Sequence, residues 1–266
     1  MSLELKLTVE WDGVKFQASL SKPLDISIPF QFEGERFRAF GAEPATSAPY
    51  QAGDTVLDVQ AGAGCNCQVF QFSAHLHGTH TECVGHITAE KRYVEDCLPS
   101  SGYLTAVLVS VEPIPADQTQ ESYNLPFEAD DRVITAEQIQ GALAFFPNAR
   151  SDALILRTMP NSDAKRVRNY DEQPPAFLTR DAVELINRLE IEHLLLDLPS
   201  VDRAADEGKL GNHHLFWEHN EKKTITELLY VPNRVSNGKY LLRLNVSNIR
   251  SDAAPSRPVL YTLSQV

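Results

Sequence analysis

The sequence predicts an α+β fold in which strands outnumber helices. Apolar and polar residues alternate through much of the first third of the chain, which is the period of half-buried β-strands. Two later segments are predicted as helices, and the second, whose apolar residues recur at helical spacing, lies between two short apolar runs, as in a strand–helix–strand crossover. The 266 residues, 42% of them hydrophobic, contain no linker-like segment, so we expect one domain over residues 1–266.

The N-terminal strands are predicted from this alternation. Residues 3–11 and 14–20 both alternate, and Asp12-Gly13 between them is typical of a tight hairpin turn. Four more strands are predicted downstream, over residues 24–30, 55–60, 68–72 and 104–111. Residues 113–133 are polar and interrupted by proline, which indicates a surface loop.

Two helices are predicted in the second half of the chain. Thr135 followed by Gln138 forms a capping box, which predicts a helix from Thr135 to about residue 146. Thr179 is expected to cap a second helix that ends near Leu189. Buried strands are predicted on either side of this second helix, over residues 153–157 and 193–198, with an irregular segment at 158–177. The C-terminal part is expected to return to strands over residues 224–230, 240–245 and 258–263.

Composition disfavours several classes of partner. The net charge of −12 repels nucleic acid phosphates and anionic lipids, and the one basic run, residues 165–168, is interpreted as a solvated loop. There is no apolar run of membrane-spanning length and no signal-peptide pattern at the N-terminus. The four cysteines are too few for a disulfide scaffold, so we expect a reduced, cytoplasmic setting, with Cys65 and Cys67 as small core residues.

The histidines are strongly clustered. Four of the eight, His75, His77, His80 and His86, lie within twelve residues, where an even distribution would place fewer than one. Because residues two apart in an extended segment point the same way, His80, Glu82 and His86 are expected to line one face of a strand and its continuation, two of them holding an ion and the third transferring protons. Imidazole and carboxylate ligands together suit zinc, manganese or ferrous iron. A single histidine would more often satisfy a local hydrogen bond, but this density favours a metal or active site.

A second cluster follows later in the chain. It contains His213, His214 and His219 and precedes Glu227. Taken alone, each of these residues is more simply a loop histidine or a solvated charge.

The first cluster resembles the signature H-x-G-T-H-x-D-x-P-x-H of the family called putative cyclase, which includes bacterial-type kynurenine formamidases. Gly78-Thr79-His80 is intact, Glu82 stands at the carboxylate position, and His86 is in register. Residues 153–158, residues 177–202, His213 with Glu227, and residues 255–259 are similar to later family segments in the same order. The sequence departs from the signature at Leu76, where the first histidine is expected, at Glu82, where aspartate is usual, and at Val84 in place of proline.

The resemblance implies a metal-dependent, arylformamidase-like hydrolase or cyclase that uses zinc or manganese. It implies a swivelling β/β/α domain, in which a mixed sheet curls towards a barrel and a few helices pack outside. The metal ligands it implies are His75 or His77, His80, Glu82, His213 or its neighbour His214, and Glu227, of which His75 and His213 are preferred. His86 is implied as the general acid/base, a small molecule as the substrate, and a homodimer as the default assembly.

Two alternatives remain open on the sequence. His75 and His77 followed by Glu82 match the centre of a cupin metal motif, which predicts iron or manganese dioxygenase chemistry. The glycines of that motif are absent, because Val69 and Ala89 occupy their positions. The other alternative is a binding protein of the same fold that has lost activity through the changes at Leu76 and Glu82.

Overall fold

A computed structural model describes residues 4–146 and 150–266. The described residues form eighteen strands and four α-helices. The helices are α1 (Ala74–His77), α2 (Ala136–Leu143), α3 (Arg180–Arg188) and α4 (Gly211–Trp217). The strands are β1 (Lys6–Trp11), β2 (Val14–Ser19), β3 (Leu24–Asp25), β4 (Thr46–Pro49), β5 (Gln51–Ala52), β6 (Thr55–Val56), β7 (Gln68–Gln71), β8 (His80–Glu82), β9 (Tyr103–Val111), β10 (Ile114–Pro115), β11 (Arg132–Ile134), β12 (Ala153–Thr158), β13 (Phe177–Leu178), β14 (His193–Leu196), β15 (Thr224–Glu227), β16 (Gly238–Arg243), β17 (Ala253–Pro255) and β18 (Val259–Gln265).

One large mixed sheet dominates the molecule. Its strand order is β1-β2-β18-β16-β9-β12-β14-β15-β8-β17, with β3 paired to β18. The four central strands, β9, β12, β14 and β15, are mutually parallel, whereas the strands on both sides pair antiparallel. The predicted α+β class with a mixed sheet and few helices is therefore confirmed, while the curling of that sheet towards a barrel stays a prediction.

The central strands are buried on both faces, as expected of parallel strands beneath helices. Along β9, Val107 and Val109 belong to the apolar cluster that includes Ile139 of α2 and Ile186 of α3. Leu108, between them, joins a second cluster on the opposite face. Since burying one such side chain contributes about 1.5–3 kcal/mol, this two-sided core provides a rigid base for the strand ends.

The local signals are reproduced in detail. Asp12 and Gly13 both have positive φ angles and close the β1–β2 hairpin; residue 3, at the predicted start of its first strand, lies outside the described residues. Thr135 and Gln138 form the predicted capping box of α2, and the Thr179 side chain accepts a hydrogen bond from the backbone of Ala182 at the start of α3. The crossover is confirmed, because α3 lies between the parallel strands β12 and β14.

Several predictions about local structure are wrong. The strand expected at 24–30 is reduced to β3, and that at 55–60 to β6 followed by a single 3-10 turn. The segment 113–133 is more than a surface loop, because it contributes β10 and part of β11 and buries Tyr123 against the core. Helix α4 was not predicted, since its histidines and asparagine gave no clear apolar period.

Two further predictions, about which side chains are exposed and which are buried, are wrong. Lys165, in the run interpreted as solvated, is only 3% exposed because its ammonium group donates a 2.7 Å hydrogen bond to the buried Asp197. Cys65 and Cys67, expected in the core, are exposed. None of the helices in the described part of the chain has the length and apolar character of a membrane span.

Candidate metal centre

Strand β8 carries two of the candidate residues, His80 and Glu82. It pairs antiparallel with β15 on one side and with β17 on the other, and its register places His80 directly opposite Glu227. Strand alternation turns His80 and Glu82 to the same side. Gly78 precedes the strand in extended conformation, and glycine is needed there because a Cβ atom would overlap the ring of Phe30.

Helix α4 supplies His213 on its buried side, whereas His214 is exposed. Asp202 positions this helix, because its carboxylate accepts hydrogen bonds from the backbone N–H groups of Asn212 and His213 at 2.8 and 3.1 Å. The same carboxylate accepts a bond from the hydroxyl of Tyr123 at 2.7 Å. The unpredicted helix α4 is therefore held by a carboxylate from the segment 177–202, which is similar to a family segment.

The short helix α1 carries both candidate ligands of the first histidine position, His75 and His77. This single helical turn directs the two rings to different surroundings. The His77 ring is bonded to the backbone at both nitrogens, with Ser73 at Nδ1 and the carbonyl of Glu43 at Nε2. The Nδ1 atom of His75 lies 2.9 Å from Oε2 of Glu82, although not in the direction of a hydrogen bond.

Five of the other predicted side chains converge around Glu82. His75, Glu82 and His86 form one group whose potential ligand atoms lie within 4.8 Å of one another, and His80, Glu82 and Glu227 form another. His213 joins them, with its Nε2 atom 3.1 Å from Oε1 of Glu82. His80 and Glu82 are fully buried, and Glu227 is 4% exposed.

Three histidines of the centre share one arrangement, in which one ring nitrogen is held from outside and the other faces the carboxylates. The Nδ1–H group of His80 donates to the carbonyl of Gly78 at 3.1 Å, so in the neutral ring Nε2 carries a lone pair. The Nδ1–H group of His213 donates to Asp202 at 2.6 Å. The third is His75, whose Nε2–H group donates to Asp252 at 2.8 Å. This arrangement is typical of histidine metal ligands.

The electrostatics of the centre favour positive charge. Burial alone would raise the pKa of Glu82, but the hydrogen bond with His213 and the close approach of His75 hold this pKa well below its usual range. Burial opposes protonation of His213, yet the bonds to Asp202 and Glu82 raise its pKa well above 6.5. The pKa of His75 rises to about 10, since its hydrogen bond to Asp252 and its close approach to Glu82 outweigh burial. A site that stabilises protonated histidines so strongly also attracts a divalent cation.

The residues present fit such a cation. Within the described part of the chain, Nε2 of His80 and Oε2 of Glu82 are buried atoms without a hydrogen-bond partner. Nε2 of His80 lies 3.5 Å from Oε2 of Glu227, so a lone pair faces a carboxylate oxygen without a hydrogen between them. Buried polar atoms are rarely left unsatisfied, and a divalent cation would satisfy both.

A cavity of about 320 Å³ opens onto this centre. His75, His86, His213 and Glu227 line its polar side. Apolar residues form much of the remaining wall, and they are Phe40, Leu76, Pro199 and Leu210. The volume suits a small organic molecule, and Leu76 supplies an apolar wall at the position where the signature has a histidine.

His86 differs from the other histidines of the centre. Its side chain is 27% exposed, and its ring stacks on that of His75 with 4.2 Å between centroids. Its Nδ1 atom lies 3.8 Å from Oδ2 of Asp252, which is beyond a hydrogen bond. His86 is therefore the histidine best placed to exchange protons with a molecule in the cavity.

The remaining candidates lie apart from the centre. His219 is exposed, and His193 is buried beside Thr224 in the sheet. Phe216 and Trp217 are core residues, with Trp217 packing against the ring of His213.

Two acidic residues, Asp197 and Asp252, have different partners. Asp197 pairs with Lys165. Asp252 was missed, because nothing in the sequence connects it with His75, which lies 177 positions earlier.

The fold and the site together define a mixed-sheet α/β protein with a buried histidine–carboxylate centre of the kind that holds a divalent metal. The family model described as "Putative cyclase" matches residues 19–203. The chain belongs to this family.

Solved structures agree with the fold at low sequence identity. A structure described as a potential metal-dependent hydrolase with cyclase activity is 18% identical, covers 90% of this chain and 97% of its own, and has a TM-score of 0.61. Isatin hydrolase A from Labrenzia aggregata, bound to benzyl benzoate, is 14% identical, with coverage of 91% and 93% and a TM-score of 0.63. A predicted metal-dependent hydrolase from Bacillus stearothermophilus is 16% identical, with coverage of 90% and 98% and a TM-score of 0.53. A search of curated proteins gave no significant match.

Proposed function

We propose that this protein is a metal-dependent hydrolase that cleaves a carbonyl C–N bond in a formamide, a cyclic amide or a related compound, or catalyses the reverse ring closure. The observation that carries the proposal is the buried lone pair of His80 Nε2, which faces Glu227 beside the unpartnered oxygen of Glu82. Membership of the cyclase family supports it, as does the similarity in fold to an isatin hydrolase, whose name describes hydrolysis of a cyclic amide.

The proposed ligands are His75, His80, Glu82, His213 and Glu227. Nitrogen and carboxylate donors of this kind suit zinc or manganese. When bound, such an ion lowers the pKa of a coordinated water and polarises a substrate carbonyl. Glu82 is common to both groups of side chains whose potential ligand atoms lie close together.

His86 is the proposed proton carrier. It lines the cavity and is not hydrogen-bonded to a carboxylate, so its ring is available to a bound substrate. As the oxygen of water bonds to the carbonyl carbon and the C–N bond breaks, His86 accepts the proton of the water and transfers it to the leaving nitrogen. The apolar wall around Leu76 and Phe40 excludes bulk water and accommodates the body of a small planar substrate.

The cupin alternative is disfavoured by the direction of His77. Both His75 and His77 serve as ligands in the cupin pattern, but the ring nitrogens of His77 are engaged by backbone groups away from the centre. A dioxygenase would consume oxygen during turnover, which an oxygen electrode detects directly.

The function is tested by absorbance assays of zinc- and manganese-loaded protein with isatin and with an N-formyl aryl amine. We expect metal-dependent ring opening or deformylation, a kcat at least about 100-fold lower in His86→Ala with unchanged metal content, and no effect of His219→Ala at an exposed position. Loaded protein that turns over neither compound class would contradict the proposed activity. Ligand binding to it without turnover would favour the inactive binding protein.

A further inference from the structure

His75 is held by a residue from the far end of the chain. Its Nε2 atom lies 2.8 Å from Oδ2 of Asp252. An ionised carboxylate only accepts hydrogen bonds, so the ring of His75 is the donor in this contact. The hydrogen of the neutral His75 ring is therefore on Nε2, and Nδ1 is the nitrogen left with a lone pair towards Glu82.

The fold fixes the position of Asp252 on its backbone side. It immediately precedes β17, which pairs with β8, and its carbonyl oxygen accepts a 2.9 Å hydrogen bond from the backbone N–H of Cys83. Gly85 allows this close packing, because a Cβ atom there would lie 3.0 Å from Cβ of Asp252 and would collide with the carbonyl oxygen of Arg92.

The carboxylate of Asp252 is also oriented. The hydroxyl of Ser251 donates to Oδ1 at 2.8 Å, which leaves Oδ2 for the ring of His75. Asp202 makes the corresponding contact with Nδ1 of His213 on the opposite side of Glu82. The two histidines nearest Glu82 are thus each held from outside by a carboxylate, one through Nε2 and the other through Nδ1.

We propose that Asp252 is a positioning residue of the metal centre, which fixes the tautomer and direction of His75 so that Nδ1 binds the cation together with Glu82. This inference rests on the proposed function and adds to it a residue of the C-terminal segment and the identity of one ligand atom. It also explains how His75 serves as a ligand from a short helical turn that presents Leu76 to the cavity.

The ligand atom is tested by NMR of protein with ¹⁵N-labelled histidine, loaded with zinc. Long-range ¹H–¹⁵N correlations distinguish a metal-bound ring nitrogen from a protonated one, and His75→Gln assigns the signals of His75. We expect Nδ1 of His75 to be bound and Nε2 to be protonated. Binding through Nε2, or a His75 ring that zinc leaves unchanged, would overturn the inference without any further variant.

The role of Asp252 is tested by zinc affinity, measured in competition with a chromophoric chelator. We expect Asp252→Asn and Asp252→Ala to weaken zinc binding about 10–100-fold, as loss of an outer carboxylate partner does in other zinc sites, and to change the His75 signals. The exposed Asp96→Asn is the matched control, and circular dichroism reports folding. If Asp252 were itself a ligand, its removal would leave His75 bound through an unchanged Nδ1.

The two proposals fail in different ways. A wild-type chain that binds neither zinc nor manganese would contradict the metal-dependent function and, with it, the role of Asp252. A wild type that binds zinc with the same affinity as a folded Asp252→Ala variant would contradict only the role of Asp252.

Discussion

Asp202 and His213 are joined by a 2.6 Å hydrogen bond from the ring Nδ1–H to a carboxylate that also accepts the backbone N–H groups at the start of α4. One side chain therefore sets both the position of the helix and the direction of the imidazole. The Nε2 atom of the same ring lies 3.1 Å from Oε1 of Glu82.

We expect Asp202→Asn to weaken metal binding about 10–100-fold, because an amide orients the ring less strongly than a carboxylate does. A chelator-competition titration measures the change. The control is Asp197→Asn, since Asp197 is equally buried but bonds Lys165 and Thr158 rather than a histidine of the centre. An unaltered metal affinity in folded Asp202→Asn would contradict this assignment.

The two neighbouring histidines of α1 provide a matched pair. His75→Ala removes a nitrogen 2.9 Å from Glu82, whereas His77→Ala removes only contacts with the backbone of Ser73 and Glu43. We expect His75→Ala to weaken zinc binding by at least about tenfold and His77→Ala to leave it within about twofold. Isothermal titration calorimetry measures the zinc affinity of both variants. A larger loss of affinity in His77→Ala than in His75→Ala would identify His77 as the ligand.

Lys165 and Arg166 are adjacent but differ in burial. Lys165 donates to Asp197 and to two oxygens of Thr158, so Lys165→Ala leaves a buried carboxylate unpaired and is expected to lower the free energy of unfolding by about 3–5 kcal/mol. Arg166 is exposed, so Arg166→Ala is expected to change the free energy of unfolding by less than about 1 kcal/mol. Urea unfolding measures both values, and equal effects would refute the buried ion pair.

His193 is expected to make stability depend on pH. Burial beside Thr224 lowers its pKa from 6.5 to about 4, and the nearby Asp152 only partly opposes this. Since the unfolded chain takes up the proton first, stability present above about pH 6.5 is lost as pH falls towards 4. The loss due to this group is about 2 kcal/mol between about pH 7.5 and about pH 5.

The variant His193→Asn isolates this effect, because the two proteins share every other titrating group. Urea unfolding of both at the two pH values should show a steeper decline for the wild type. Parallel declines would mean that His193 is protonated in the folded protein or does not titrate in this range.

Local chemistry explains why much of the fold was predictable. The turn at Asp12-Gly13, the capping box at Thr135 and the continuous apolar run of β9 are each specified by neighbouring residues. The helix α4 is different, because its position depends on Asp202, which lies outside the helix. Lys165 was misjudged for the same reason, as its partner Asp197 is distant in sequence.

The residues of the candidate centre also differ in whether local sequence predicts them. His80 and Glu82 follow from strand alternation, and His213 and Glu227 were reached through their order in the family resemblance. The choice of His75 over His77 depends on a helical turn that four residues do not specify. Asp252 depends on the pairing of β17 with β8, a long-range contact that no local pattern reveals.

The most direct test of the central claim is the metal content of protein purified without chelators, measured by mass spectrometry for the wild type, His80→Ala and the exposed-site control His219→Ala. We predict near-stoichiometric zinc or manganese in the wild type and in His219→Ala, and a loss of most of that metal in His80→Ala, because Nε2 of His80 is a buried lone pair directed at Glu227. A wild type that stays metal-free after incubation with both ions, or a folded His80→Ala variant that retains its metal, would contradict it.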